Sequence, residues 1–297
     1  LQEVIEAKRG TVCIFCNSID SIDSFYRLIP ELSNACTFCS EDGQYKLWKG
    51  NRRKKSMMIT ELERYNFFTS RFYSAVDILC KNPPHVIFVS DLYGAAQSVI
   101  DPATEAIQII GRFRGGVNSV THIASIRPEL ECMSSSEIDH WIQGASTIFN
   151  GWKAQLARTT NIGERTLLQE AIGENSYLPY LDENGKPDSF LIANFYEKEQ
   201  VKRLYTSADL LAIQHRLAKK KRAELIVRKL EEMEKMSRST DKKIQKRYQR
   251  MLMNLITSTA DRYIYDCFCR FGAEFVREAD YNENKLRTAL NVSSEHT

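Results

Sequence analysis

Residues 10–126 alternate short apolar runs with stretches of helical spacing, and this alternation limits the fold more than any other feature of the chain. "GTVCIFCNS" is β-prone and apolar, and "DSIDSFYRLIPEL" follows with Ile22, Phe25, Leu28 and Ile29 at helical spacing. "NACTFCS", "YNFFTS", "HVIFVSD" and "VTHIASI" are further strand candidates, with "ATEAIQIIGRF" reading as a helix before the last of them. Strands that are apolar throughout must be covered on both faces. Joined by helical segments, they predict an α/β domain with a parallel sheet and helices on both sides. Ligands of such sheets gather at the carboxyl ends of the strands. Three polar clusters fall there: Asn17-Ser18, Thr69-Ser70-Arg71 and Ser90-Asp91.

The pattern changes near "RPELECMSSSEIDHW". Ser134 and Glu137 fit a capping box that opens a helix carrying Ile138, Trp141 and Ile142. From there the chain reads as mainly helical, so two domains are expected: 1–128 and 129–297. Two β-prone runs flank "DENGKPD", whose Asn184-Gly185 predicts a small β-hairpin near 176–196. A long charged helix is expected over 207–236, a turn at "SRSTDKK", and a second long helix over 241–279, together forming an antiparallel helical hairpin. There is no internal repeat, and the terminal "NVSSEHT" is expected to fray, with its "NVS" glycosylation pattern incidental. No stretch approaches the roughly 18–20 apolar residues that span a bilayer, and "LQEVIEAKRG" has no signal-peptide core. The expectation is a soluble, cytoplasmic protein whose abrupt start looks cut from a longer chain.

Cys13 with Cys16, and Cys36 with Cys39, form two C-x-x-C pairs with the gross spacing of a four-thiolate zinc site. Each pair lies in a β-prone run without the glycine or proline of a metal knuckle. On a strand, positions i and i+3 point to opposite faces. Buried, reduced thiols are therefore expected, with no metal site. Cys267 and Cys269 read as packing residues too.

"AIQIIGRFRGG" places Arg112 and Arg114 where the chain leaves its core. A buried or half-buried guanidinium needs a partner to offset desolvation, so a carboxylate or a phosphate should be close by. Two residues apart, the side chains diverge by about 200° on a helix. A helix end or turn between Gly111 and Gly116 would let both reach one interface.

Three segments carry a family resemblance. "QIIGRFRGG" resembles motif VI of superfamily 2 helicases, Gln-x-x-Gly-Arg followed by another arginine. "YNFFTSRFYSAVDIL" resembles their motif V, and "VCIFCNSID" resembles the strand and turn of motif IV. The compact Arg-Phe-Arg form is closest to the herpesvirus origin-binding helicases and related bacterial or mobile-element proteins. The resemblance covers less than half of the chain. It implies a second RecA-like motor lobe over 1–128, in which Arg114 is a finger on the γ-phosphate of ATP. Arg112 would meet the phosphate or a carboxylate across the cleft, Gln108 would orient or sense the nucleotide, and Gly111 and Asp77 would contact it. Thr69, Ser70 and Arg71, with Asn17 and Ser18, would contact a nucleic acid backbone, although helix or turn capping is the alternative for these small polar residues. Where the family carries glycine two residues before the aspartate, this chain carries Ala75. No Gly-x-x-x-x-Gly-Lys-[Ser/Thr] occurs, and "DEN" at 182–184 belongs to a turn. ATP and Mg2+ would then be held mainly by an N-terminal lobe on the same full-length chain, and this part alone would not hydrolyse ATP. The alternative is a non-catalytic scaffold built on a degenerate motor lobe.

The formal net charge is +3, yet residues 209–250 hold fourteen Lys or Arg against six Asp or Glu. Within this basic arm, Lys219, Lys220, Lys221 and Arg222 are candidates for contacting DNA without reading its sequence. The alternative is a solvated helix laced with pairs such as Glu231 with Lys235. Tyr248 is the main aromatic of the arm, too little for base stacking.

Overall fold

A computed structural model describes residues 1–49, 55–56, 58–59, 61–74, 76–256 and 259–294. Six strands form one sheet: β1 (Val12–Phe15), β2 (Cys36–Phe38), β3 (Lys55–Ser56), β4 (Tyr65–Phe68), β5 (His85–Ser90) and β6 (Ser119–Ala124). They lie in the order β3-β2-β4-β1-β5-β6, and every pairing is parallel. The α/β class expected from the sequence is what the chain forms.

Alternation along the central strands sorts their side chains into two cores. Val12, Ile14 and Cys16 join Tyr65, Phe67, Ile87 and Val89 on one face. Cys13 and Phe15 join Phe68, Val86 and Phe88 on the other. The first face is covered by α1 (Gln2–Glu6), α2 (Ile19–Leu28) and α3 (Glu41–Lys49), which contribute Ile5, Ile22, Tyr26 and Leu47. The second is covered by α4 (Glu105–Gly111), through Ala106 and Ile109, and by the segment carrying Phe72, Tyr73 and Ile78. The cysteine pairs split as strand geometry requires, with Cys13 and Cys36 in one core and Cys16 and Cys39 in the other. All four are buried and none forms a disulfide, and burial pushes the Cys16 thiol up to about 12.

Phe15 is the hub of the second core. It stacks on Phe68 at 5.0 Å and meets Tyr73, Phe88 and Phe113 edge-on at 5.8, 6.2 and 6.1 Å. The last of these rings sits between Arg112 and Arg114, so packing of Phe113 fixes where the two arginines emerge.

The helical part departs from expectation in three places. First, it contains seven helices among the described residues: α5 (Ser135–Arg158), α6 (Ile162–Gly173), α7 (Ser189–Leu204), α8 (Ala208–Ser237), α9 (Lys242–Leu255), α10 (Thr259–Glu278) and α11 (Glu283–Ser294). It does not form one extension. Arg127–Ser207 is a compact unit of its own, whereas Ala208–Thr297 belongs with Leu1–Ile126. Second, the β-hairpin near 176–196 is absent. The turn survives, with Gly185 at φ 72 and an isolated bridge between Leu181 and Pro187. The run after it is α7, because Asp188 accepts from the backbone N–H groups of Phe190 and Leu191 and caps a helix. Third, the expected long helix over 241–279 breaks at Ile256, whose backbone is extended (φ −96, ψ 95). Ile256, Thr257 and Thr259 are β-branched and weak helix formers, which favours a break there. Ala75 and residues 257–258 lie outside the described residues.

In the Arg127–Ser207 unit, the capping box is present as read, with Ser134 and Glu137 each bonding the other's backbone N–H. Trp141, Tyr180 and Phe195 form an aromatic cluster at 5.1–5.6 Å. In the other unit, α8, α9, α10 and α11 share a core built on Ile226, Val227, Leu230, Cys267, Val276 and Leu286. Gln245 closes the α8–α9 turn by donating to the carbonyls of Met236, Ser237 and Ser239. Among the described residues no helix is long and apolar enough to cross a membrane.

Removing the hub ring tests this arrangement. Phe15→Ala should destabilise the sheet unit by about 3–5 kcal/mol, and Phe15→Leu by less than about 2 kcal/mol, in urea denaturation.

Candidate functional site

The carboxyl ends of β1, β2, β4 and β5 open on a polar cleft of about 290 Å³ lined by Asn17, Ser18, Lys46, Thr69, Ser70 and Arg71, among others. Its shape depends on Asn17. The side-chain carbonyl accepts from the backbone N–H of Ser70 at 3.2 Å, and the amide donates to the Gln97 carbonyl at 3.1 Å. One short side chain thereby ties together the loops that follow three neighbouring strands.

Ser18 has the capping role: it is buried, and its Oγ accepts from the Ser21 N–H at 3.1 Å to start α2. Thr69 also turns inward, its hydroxyl donating to the Phe38 carbonyl at 3.4 Å. Ser70 and Arg71 remain exposed at the cleft, together with Lys46 from α3. Among the described residues, two cations thus face a cleft whose single carboxylate is Asp20. The α3 contribution was not read from the sequence, because "EDGQYKLWK" looks like a polar linker. Its helix packs through Leu47 and through Gly43, where an added Cβ would lie 3.0 Å from Ile19 Cδ1.

Outside the cleft, α4 ends at Gly111, and Arg112, Phe113 and Arg114 turn out of it. Gly116, at φ 82, closes the turn by donating to the Phe113 carbonyl at 2.9 Å. Only glycine adopts this backbone without strain. The turn is joined to the 76–78 segment. Ile78 N–H donates to the Arg112 carbonyl at 2.8 Å, Ile78 bridges Phe113 in parallel, and Arg114 Nε donates to Asp77 Oδ2 at 3.0 Å. The carboxylate partner raised by the sequence is therefore real for Arg114, and it lies within the same fold. Both side chains of that pair are more than 40% exposed. An ion pair in that setting contributes at most about 1 kcal/mol. Nη1 and Nη2 of Arg114 have no partner among the described residues. Arg112 has no carboxylate partner among the described residues: its Nε donates to the Gln108 carbonyl at 3.2 Å, and the Gln108 side chain is exposed.

A histidine pair lies under the third polar cluster, and sequence reasoning passed over it because the two residues are 93 positions apart. Ser90 Oγ donates to the Ser98 carbonyl at 3.0 Å and lies 3.0 Å from His122 Nε2. The hydroxyl therefore accepts from Nε2–H, leaving His122 Nδ1 to accept from His215 Nε2–H at 2.8 Å. This chain links β5, β6 and α8. Burial first, and then the neighbouring His215, hold His122 down to about 3. His215 is also lowered, by its burial and by Lys219.

The basic stretch of α8 divides. Lys219 and Lys221 are exposed, with no carboxylate in reach among the described residues. Lys220 pairs with Asp280 at 2.6 Å. Arg222 is bound into the bundle, donating to the Leu255 carbonyl at 2.5 Å and pairing at 3.2 Å with Asp261, which is buried. Its guanidinium caps α9 and is engaged inside the fold. Glu231 pairs with Arg277 of α10 at 2.7 Å, an interhelical contact in place of the Lys235 pairing that the solvated-helix alternative offered. Tyr248 is buried in the bundle core and unavailable for stacking.

Comparison of the chain with family models, with curated proteins and with solved structures finds no match in any of the three.

Two outcomes follow from these contacts. A histidine whose folded pKa lies below its unfolded value contributes stability above about pH 6.5 and loses it as the pH falls toward 3. The loss should approach about 1.4 kcal/mol per pH unit below pH 6, and His122→Gln should show a correspondingly flatter profile in urea titrations at successive pH values. Arg222→Ala should cost about 2–4 kcal/mol in thermal or urea unfolding, because it removes the cation that faces the buried Asp261 carboxylate and caps the Leu255 carbonyl.

Proposed function

We propose that the sheet domain is the second motor lobe of an ATP-dependent DNA helicase or translocase of the superfamily 2 type, acting with a nucleotide-binding lobe on the same full-length chain. The observation that carries this reading is the Arg114–Asp77 contact, which brings the motif VI-like and motif V-like segments together at one exposed position. The pair is exposed and weak, and it engages only Nε. The two Nη groups can take up a triphosphate oxygen when a second lobe closes, at little cost in broken contacts. An arginine placed in this way stabilises the charge that spreads over the γ-phosphoryl oxygens in the transition state. In the same reading Asp77 meets the nucleotide sugar, Arg112 and Gln108 face the phosphates, and Ser70, Arg71 and Lys46 hold a DNA backbone in the cleft.

ATP and Mg2+ belong to the other lobe in this reading. The chain has no P-loop, and among the described residues no three His, Cys, Asp or Glu side chains converge as a metal-ligand set. A second reading, a non-catalytic scaffold, is favoured by the same ion pair, since an arginine already holding a carboxylate of its own domain can be purely structural.

DNA-stimulated ATP hydrolysis by the full-length chain separates the two. Arg114→Ala should lower turnover by about 10³-fold or more, and Arg114→Lys should fail to restore it because the planar fork is lost. Turnover within tenfold of the parent would remove the finger role and leave the scaffold.

A further inference from the structure

Among the described residues, the strongest concentration of unneutralised charge is on α9, outside the cleft and the arginine turn. Its fourteen residues, "KKIQKRYQRMLMNL", contain Lys242, Lys243, Lys246, Arg247 and Arg250 and no acidic residue. All five cations are exposed, and none pairs with a carboxylate among the described residues. The nearest acidic group in sequence, Asp241, is used as the N-cap, accepting from the N–H groups of Lys243 and Ile244. On α8, Lys220, Arg222 and Lys229 have carboxylate partners, whereas Lys219 and Lys221 have none among the described residues, and acidic residues are interspersed along the helix.

The five cations form two rows along the helix: Lys242, Lys246 and Arg250, and beside them Lys243 and Arg247. Within a row the repeat is four residues, or about 6 Å. That is close to two phosphate steps of a duplex strand, at roughly 3.4 Å each. The opposite side of α9 is committed to the bundle, with Tyr248 and Leu252 buried and Met251 and Leu255 packed against the same core. The helix therefore cannot lay an apolar face into a bilayer, which is how basic amphipathic helices hold membranes. Ile244 and Met253 are its exposed large apolar residues. A rigid double row of cations without an insertable face suits a phosphate backbone.

We propose that α9 is a nucleic-acid-binding surface that grips the phosphate backbone of DNA through Lys242, Lys243, Lys246, Arg247 and Arg250, without reading sequence. This goes beyond the motor reading, because it requires neither nucleotide nor a second lobe. It also moves the main contact of the basic arm from the 219–222 stretch to the next helix.

The experiment titrates the 297-residue chain, without ATP, against a 20-base-pair duplex and a 20-nucleotide single strand between 50 and 300 mM salt. Five phosphate contacts predict a slope of log affinity against log salt of about −4.5 for duplex and about −3.5 for single strand. Lys246→Gln/Arg247→Gln/Arg250→Gln should lower affinity by about tenfold or more and flatten the duplex slope by about 2.7, one increment per cation removed. Arg247→Lys/Arg250→Lys should keep the parental slope, and Lys219→Gln/Lys221→Gln should change it by much less than the triple variant. The proposal is overturned if the triple variant, shown by circular dichroism to be folded, binds with the parental slope. It is equally overturned if the α8 variant carries the loss instead, or if the chain binds phosphatidylserine vesicles but not DNA. A motor that fails the Arg114 test would leave these outcomes unaffected.

Discussion

Burial of β1 on both faces is the constraint on which the rest of the structure depends. It has β4 on one side and β5 on the other, and every residue from Val12 to Cys16 is inaccessible to solvent. A strand in that position can carry a polar side chain only where it is fully hydrogen-bonded, as Asn66 of β4 is, and β1 itself carries none until it leaves the sheet. Its first polar residues, Asn17 and Ser18, therefore appear together at the carboxyl edge, where the loops after β4 and β5 also end. Asn17 turns this shared edge into one structure by bonding both loops, and the cleft is a consequence of how the core is closed.

The same core aims the arginines. Phe113 is anchored against Phe15, so Arg112 and Arg114 leave on either side of a fixed ring. The 76–78 segment is laced to that turn by a backbone bond and an exposed ion pair. Strong, directional contacts thus hold the backbone of the site, while its charged tips are held weakly. That combination suits groups that must exchange partners, since an exposed pair is easily replaced and a backbone bond between buried segments is not.

Charge is divided between two uses within the basic arm. Arg222 serves the fold, because a guanidinium beside a buried carboxylate and a helix-end carbonyl satisfies both. The cations of α9 pair with no carboxylate among the described residues. Composition alone treats the two alike; the difference lies in which residues the bundle places opposite them.

Local pattern carried much of the fold. The five longer strands, α2, α4, the Ser134 capping box and the Asn184-Gly185 turn were legible because each depends on near neighbours: alternation, helical spacing, a cap three residues away, a turn dipeptide. α3 was hidden because its packing rests on one leucine and one glycine. The apolar run after Asp188 reads as a strand of a hairpin from its residue types, and the Asp188 cap makes it a helix instead. Of the site, Arg112, Arg114, Asp77 and the polar strand ends were visible as residues, while the pairing of Asp77 with Arg114, the bracing by Asn17 and the Ser90–His122–His215 chain were not. By itself the sequence determined a parallel α/β sheet with polar strand ends and an arginine turn, because apolar periodicity and glycine placement act over a few residues. Only the tertiary structure decided which charges are neutralised and which face outward, because that depends on contacts between groups 30 to 90 positions apart, whose meeting no local pattern encodes.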